Sequence, residues 1–99
     1  MNEFEIDFLL ARLRDYRLEY EYTGSSSIRI KEIASIDKLD FGSLGFYRGT
    51  DAKYLADILR KDSIVLCKPT LKKYIPKEKL SYCVFLAEPD EHTGIIAAT

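Results

Sequence analysis

The chain has 99 residues, of which 46% are hydrophobic and 31% charged, and its acids and bases nearly cancel to a formal net charge of −1. A chain of this length is expected to form one domain, 1–99, with one core and room for one modest surface site. The near-neutral charge argues against an electrostatic nucleic-acid binder, and no apolar run reaches the roughly 18 residues needed for membrane insertion.

The amino-terminal half predicts a helix followed by two strands. Phe4, Phe8, Leu9 and Leu13 recur at helical spacing in EFEIDFLLARLRDY, which is typical of an amphipathic helix. The segments RLEYEYTG and SIRIKEIASI alternate polar with apolar residues, the pattern of half-buried strands. Because residues 23–27 between them carry turn chemistry, we expect these two strands to form a hairpin.

The carboxyl-terminal half predicts strands that are covered on both faces. SIVLC and YCVFLA are continuous apolar runs, and DAKYLADILRKD before them is a helix candidate with Thr50 or Asp51 as its cap. Strand, turn, helix and strand in this order predict a right-handed unit with parallel strands. The connection KPTLKKYIPKEKLS, with its prolines and lysines, is interpreted as an exposed excursion.

A last helix is expected to begin near Pro89 in EPDEHTGIIAAT. Because the pattern runs on to Thr99 without a cap, we expect the sequence to be a piece of a longer protein. Together the elements predict an α/β fold, a small mixed sheet with flanking helices.

The residues offer little for catalysis or for metal binding. The single histidine, His92, lies among acids, and the five glycines are scattered, so neither a nucleophile with its base nor a phosphate loop is indicated. Cys67 and Cys83 lie in apolar runs and are interpreted as buried reduced thiols, with a disulfide or a metal pair as the alternative. We predict no catalytic residue, metal or cofactor. The acidic start MNEFEID lacks the positive region of a signal peptide, which predicts a cytoplasmic protein.

The stretch GSLGFYRGTDAKYLADI places aromatic rings on both sides of a polar turn. Alternation along a strand sends Phe46 and Tyr47 to opposite faces, and Tyr54, one turn into the helix, leans back toward the strand end. A strand ring and Tyr54 would then face each other across the loop and form a slot for a flat ligand, worth roughly 1 to 3 kcal/mol per stacked base. The alternative is that Phe46 and Tyr54 are core residues and Tyr47 is half exposed.

The same turn joins the carboxyl end of a strand to the amino end of a helix, a position that favours an anion. Arg48 could add a charge-assisted contact there, and Thr50 and Asp51 lie in the same turn. These three residues are candidate contacts for a phosphate or a sugar.

Residues 28–98 resemble the amino-terminal domain of the UDP-3-O-acylglucosamine N-acyltransferases of lipid A biosynthesis. The resemblance lies in a strand with I-x-x-I-A-S-I-D, a Gly-Ser-Leu-x-Phe strand, a Lys-Tyr-Leu helix, a short valine-containing strand and a final strand leading to a helix near Pro89. It implies a fold similar to the amino-terminal domains of the UDP-muramoyl peptide ligases.

In that family the domain holds the uracil of the UDP-sugar between a Phe and a Tyr, which correspond here to Phe46 and Tyr54. The loop departs from the family's Phe-x-x-Asn-Pro-x-Tyr pattern. It is two residues longer, lacks the proline, and has Arg48, Gly49, Thr50 and Asp51 where the asparagine would fall. The resemblance therefore implies a UDP-sugar as ligand and leaves its sugar open.

The resemblance also implies the nature of the parent protein. In the family a following β-helix domain of hexapeptide repeats carries the catalytic histidine, forms a homotrimer and binds the acyl carrier protein. The present chain, expected to be a monomer by itself, would supply affinity for the nucleotide while the parent transfers an acyl group to a sugar amine. Two alternatives stay open. One is a free-standing adaptor or structural module without nucleotide binding, and the other is a domain of an acyltransferase that acts on a different nucleotide sugar.

Overall fold

A mixed five-stranded sheet organises the part of the chain that the computed structural model describes, residues 3–87. Its strands, in spatial order, are β2 (Tyr20–Glu21), β7 (Cys83–Leu86), β6 (Ile64–Cys67), β5 (Ser43–Phe46) and β4 (Glu32–Ile33). The strands β4 to β7 are parallel to one another, and β2 is antiparallel to β7. A separate antiparallel pair joins β1 (Phe4–Glu5) to β3 (Arg29–Ile30). The predicted α/β fold with a small mixed sheet and flanking helices is confirmed.

The two central strands are buried on both faces, as their apolar runs predict. Every residue of β6 and of β7 is buried, and alternation divides their side chains between two clusters. The first cluster lies on one face of the sheet and comprises Phe4, Ile6, Leu9, Leu10, Leu13, Ile30, Leu44, Ile64, Leu66, Val84 and Leu86. The second lies on the other face and comprises Leu55, Ala56, Leu59, Val65, Cys67, Leu71, Ile75, Cys83 and Phe85.

The predicted first helix is α1, Ile6–Asp15, which covers the first face. Its buried stripe is Ile6, Leu9, Leu10 and Leu13, the spacing of three and four residues that brings side chains to one side of a helix. Phe8 falls outside this stripe and is 51% exposed.

The predicted hairpin between the second and third strand segments is wrong. Tyr20 pairs with Leu86 in β7, whereas Ile30 pairs with Phe4 and Ile33 pairs with Leu44. The alternation of polar and apolar residues indicates that a segment is half buried, but it does not indicate which strand pairs with that segment. The intervening residues form a loop in which the Tyr22 hydroxyl donates to the carbonyl oxygen of Ser25 at 2.6 Å.

The predicted parallel unit is confirmed as β5, α2 (Ala52–Ile58) and β6. The next connection, from β6 to β7, forms two 3₁₀ helices, Pro69–Tyr74 and Lys77–Tyr82. Leu71 and Ile75 from this connection are buried in the second cluster, whereas Lys73, Tyr74 and Lys77 are exposed, so its interpretation as an exposed excursion is only partly correct. Parallel strands covered on both faces require an apolar layer at this position, and the connection supplies part of it.

A third 3₁₀ helix, Ile36–Lys38, connects β4 to β5 on the same face. It packs closely because β5 carries Gly45, where a Cβ would lie 2.8 Å from Leu39 Cδ2. The helix expected near Pro89 lies outside the described residues. Among residues 3–87, none of the helices has the length and the apolar composition of a membrane-spanning segment.

Candidate functional site

The loop after β5 lies at the edge of the sheet where the parallel strands end. β5 ends at Phe46 and α2 begins at Ala52, so residues 47–51 connect the carboxyl end of a strand to the amino end of a helix. β4 is parallel to β5 and ends one strand away. This edge is where α/β sheets bind ligands, and the predicted site residues all lie on or beside it.

The structure does not bring Phe46 and Tyr54 together as the expected ring pair. Phe46 packs against the first cluster, on the α1 face, whereas Tyr47 packs against the second cluster. Because α2 lies over the second face, the strand ring beside Tyr54 is that of Tyr47. Alternation along the strand predicts that Phe46 and Tyr47 point to opposite faces of the sheet. It does not predict which of the two lies beside Tyr54, because that depends on which face α2 covers.

Tyr47 and Tyr54 pack directly against each other. Their ring centroids are 5.9 Å apart and the ring planes meet at 38°. A base inserted between two parallel rings needs a separation of about 7 Å, twice the ordinary contact distance between carbon atoms. The arrangement is therefore an aromatic pair rather than an open slot.

The Tyr47 hydroxyl closes the loop. It accepts a hydrogen bond from the backbone N–H of Asp51 at 3.1 Å and lies 3.2 Å from the Asp51 carbonyl oxygen, to which it donates. The ring lies over Gly49, where a Cβ would be 2.5 Å from Tyr47 Cζ. Glycine at this position lets the ring cross the loop, and the ring in turn fixes the turn that leads into α2.

Asp51 caps α2, which confirms one of the two predicted caps. Its carboxylate accepts a hydrogen bond from the backbone N–H of Tyr54 at 3.1 Å. This bond satisfies one of the amides that a helix start leaves unpaired. The carboxylate is thus committed to the protein, and it places a negative charge at the helix end that was predicted to attract an anion.

The three predicted phosphate or sugar contacts do not line one cleft. Arg48 lines a cleft between the ends of β4 and β5, with a volume of about 550 Å³. Thr50 and Asp51 line a separate cleft of about 560 Å³ between α2 and the connection from β6 to β7. The loop turns between them, so the residues diverge although they are close in sequence.

The cleft at Arg48 is the better binding site of the two. Its lining residues are Ala34, Ser35, Ile36, Phe46, Tyr47, Arg48 and Gly49. Phe46 and Tyr47 both line it, although their side chains pack on opposite faces of the sheet. Arg48 is exposed and forms no ion pair with any residue from 3 to 87. The site thus combines aromatic surface with a cation that is available to an anionic ligand.

Sequence reasoning missed the contribution of residues 34–36 to this cleft. These residues follow β4 directly, and the cleft forms because β4 lies parallel to β5 with their carboxyl ends together. The A-S-I stretch was visible in the sequence, but it would have pointed to the site only once β4 was placed beside β5 rather than in a hairpin.

The buried thiols lie away from both clefts, in the second cluster. Cys67 and Cys83 are free and fully buried. A hydrogen bond with Cys83, together with burial, raises the pKa of the Cys67 thiol, so Cys67 remains in its unreactive protonated form. Across residues 3–87, no three His, Cys, Asp or Glu side chains are grouped to hold a metal ion. His92 lies outside the described range.

Comparisons with known proteins found no matching family model and no matching curated protein. The chemistry of the site must therefore be argued from its own residues.

Proposed function

We propose that this chain is a nucleotide-recognition domain that binds a uridine nucleotide sugar at the cleft between the ends of β4 and β5. The proposal extends the resemblance to the amino-terminal domains of UDP-3-O-acylglucosamine N-acyltransferases. The domain contributes affinity and positions the acceptor, and the acyl transfer belongs to a separate catalytic domain of the parent protein. The uracil contacts Phe46 and Tyr47, and the diphosphate contacts Arg48.

One observation carries this proposal: an open cleft at the carboxyl edge of parallel strands is lined by two aromatic residues and an arginine without an acidic partner among residues 3–87. Each feature suits one part of the ligand. Aromatic surface favours a flat base, and a guanidinium forms charge-assisted hydrogen bonds with phosphate oxygens. The volume of about 550 Å³ falls within the range of small-molecule sites.

In this proposal Tyr54 supports another ring, whereas the sequence predicts that it contacts the uracil directly. Tyr54 is packed against Tyr47 and supports that ring from the α2 side. Tyr54→Ala is therefore expected to weaken binding through the position of Tyr47, and Phe46→Leu through the loss of direct aromatic contact.

The test is a titration of the ¹⁵N-labelled chain with uridine, UMP, UDP and UDP-N-acetylglucosamine, followed by NMR. Saturable shifts are expected at residues 34–36 and 46–49. Removing a charge-assisted hydrogen bond costs roughly 1.5 to 3 kcal/mol, so Arg48→Ala should weaken UDP binding by about ten- to a hundredfold while leaving uridine binding unchanged.

Lys53→Ala provides the matched control, because Lys53 is an exposed cation of the other cleft. UDP affinity should survive this change. A chain that shows no shift with millimolar UDP, or that loses UDP through Lys53→Ala and not through Arg48→Ala, would contradict the proposed site.

A second candidate function is an adaptor or structural module without a nucleotide ligand. The observation that favours it is the closed Tyr47–Tyr54 pair, since both rings are used to hold the loop. Under this alternative, Tyr54→Ala lowers the free energy of unfolding and none of the four ligands shifts any resonance. The titration therefore separates the two functions.

A further inference from the structure

The connection from β6 to β7 differs from the usual crossover between parallel strands. Such a crossover most often contains an α-helix that covers the sheet. Here two 3₁₀ helices take its place, Pro69–Tyr74 and Lys77–Tyr82, with Pro69 and Pro76 at their starts. Two short helices fill less of the layer than one long helix, and a groove of about 580 Å³ remains between them.

This connection concentrates the positive charge of the chain. Residues 68–79 contain five lysines and one glutamate, a net charge of +4. Because the whole chain carries −1, the other residues together carry −5. The positive surface is therefore local, and it is set against a negative remainder.

The groove is lined by both apolar and cationic residues. Its lining residues are Pro69, Thr70, Lys72, Lys73, Ile75, Lys77 and Leu80. Beside it, the Tyr74 ring is 65% exposed, and the Lys73 ammonium lies 5.1 Å from the centre of that ring. The lining of the groove therefore offers both apolar and cationic contacts.

Of the three lysines that line the groove, two are available for a partner. Lys72 pairs with Glu21, and Lys79 donates to the Ala56 carbonyl oxygen at 2.6 Å. Lys73 and Lys77 are exposed and form no ion pair within the described part of the chain. Their charge is not compensated by a carboxylate at ion-pair distance among residues 3–87.

We propose that this groove, lined by the seven residues named above, binds an acidic amphipathic segment of a partner protein. The segment places an apolar side chain against Pro69 and Leu80 and carboxylates against Lys73 and Lys77. Charge complementarity selects an acidic partner, and the apolar lining selects an amphipathic one. A nucleic acid fits less well, because the net charge outside the connection repels a long polyanion.

The experiment titrates the labelled full chain with a synthetic peptide of about 16 residues, with leucines at helical spacing and glutamates elsewhere. Shifts are expected along residues 69–80, and the affinity should fall at about 1 M salt, where charges are screened beyond roughly 3 Å. The double variant Lys73→Glu/Lys77→Glu, which loses two exposed ion pairs with the peptide, should bind it about two- to thirtyfold more weakly. Both lysines are exposed, so this variant should keep its fold and its spectrum away from the groove.

The matched control is Lys38→Glu/Lys61→Glu, which changes the net charge equally at exposed sites elsewhere and should bind the peptide like the parent. Polyglutamate without leucines, and a peptide with lysine in place of glutamate, should both bind more weakly than the acidic peptide. Equal binding by the two double variants, equal binding of polyglutamate, or tighter binding of a single-stranded oligonucleotide or of anionic vesicles would overturn the proposal. The nucleotide cleft plays no part in it, so either proposal can fail alone.

Discussion

The carboxylate of Asp51 determines how α2 begins. The carboxylate accepts a hydrogen bond from the backbone N–H of Tyr54 at 3.1 Å. The backbone carbonyl oxygen of Asp51 accepts one from the N–H of Leu55 at the same distance. Replacing an N-cap aspartate by alanine costs about 1 kcal/mol, so we expect Asp51→Ala to lower the free energy of unfolding by that amount in urea denaturation. Asp51→Asn should retain most of the stability. Asp57→Ala, at an exposed position within α2, is the control, and a loss there as large as at Asp51 would contradict the capping role.

Tyr22 makes the free energy of unfolding depend on pH in the alkaline range. Burial raises the pKa of Tyr22 to about 12, above the ordinary value near 10. The folded chain therefore keeps the phenol proton at pH values where the unfolded chain has lost it. This contribution is complete below about pH 10 and is lost as the pH rises toward 12. The hydroxyl also donates to the Ser25 carbonyl oxygen, a bond that ionisation removes.

We expect Tyr22→Phe to reduce the fall in the free energy of unfolding between pH 10 and 12, measured by urea denaturation at several pH values. Tyr16→Phe is the control, because Tyr16 is 52% exposed. Identical pH dependence in the wild type and in Tyr22→Phe would show that the phenol does not titrate differently in the two states.

The sequence predicted local features better than it predicted distant partners. The cap at Asp51 could be predicted because its partner is three residues away. The partner of Tyr54 could not, because the choice between Phe46 and Tyr47 depends on which face of the sheet α2 covers. That choice is made by the packing of the whole layer.

The connection from β6 to β7 is part of the core, and its packing can be tested element by element. Leu71 and Ile75 are 3% and 6% exposed. Truncating a buried leucine or isoleucine to alanine costs about 2 to 5 kcal/mol, so Leu71→Ala and Ile75→Ala should each destabilise the chain by an amount within this range in urea denaturation. Tyr74→Ala, between them but 65% exposed, should change stability by less than about 0.5 kcal/mol. Small effects at all three positions would restore the interpretation as a solvated loop.

Helices and buried strands could be predicted from the sequence, whereas the pairing of short edge strands could not. α1, α2, β6 and β7 have apolar patterns that are long or continuous enough to identify them. β2, β3 and β4 are two residues each. Their partners are set by the edges that β7, β1 and β5 leave open, and no local signal encodes that. The predicted hairpin placed this segment away from β5. The cleft that β4 and β5 form was therefore not predicted.

The whole molecule places two apolar clusters on opposite faces of one sheet, which raises the question whether they unfold together. The strands β6 and β7 contribute alternate side chains to both clusters, so neither cluster can lose its packing while the other keeps its strands. This shared sheet predicts a single cooperative transition, as small domains usually show.

The prediction is tested by comparing a truncation on each face. Leu9 lies in the first cluster and Leu55 in the second, and both are fully buried. Leu9→Ala and Leu55→Ala should each lower the free energy of unfolding by about 2 to 5 kcal/mol. The urea midpoint should fall accordingly, with an unchanged denaturant slope. Far-UV circular dichroism and tyrosine fluorescence should report the same midpoint in each variant, because the seven tyrosines and the backbone then respond to one event. A variant in which one probe changes before the other would mean that the two faces unfold separately, and the sheet would not couple them.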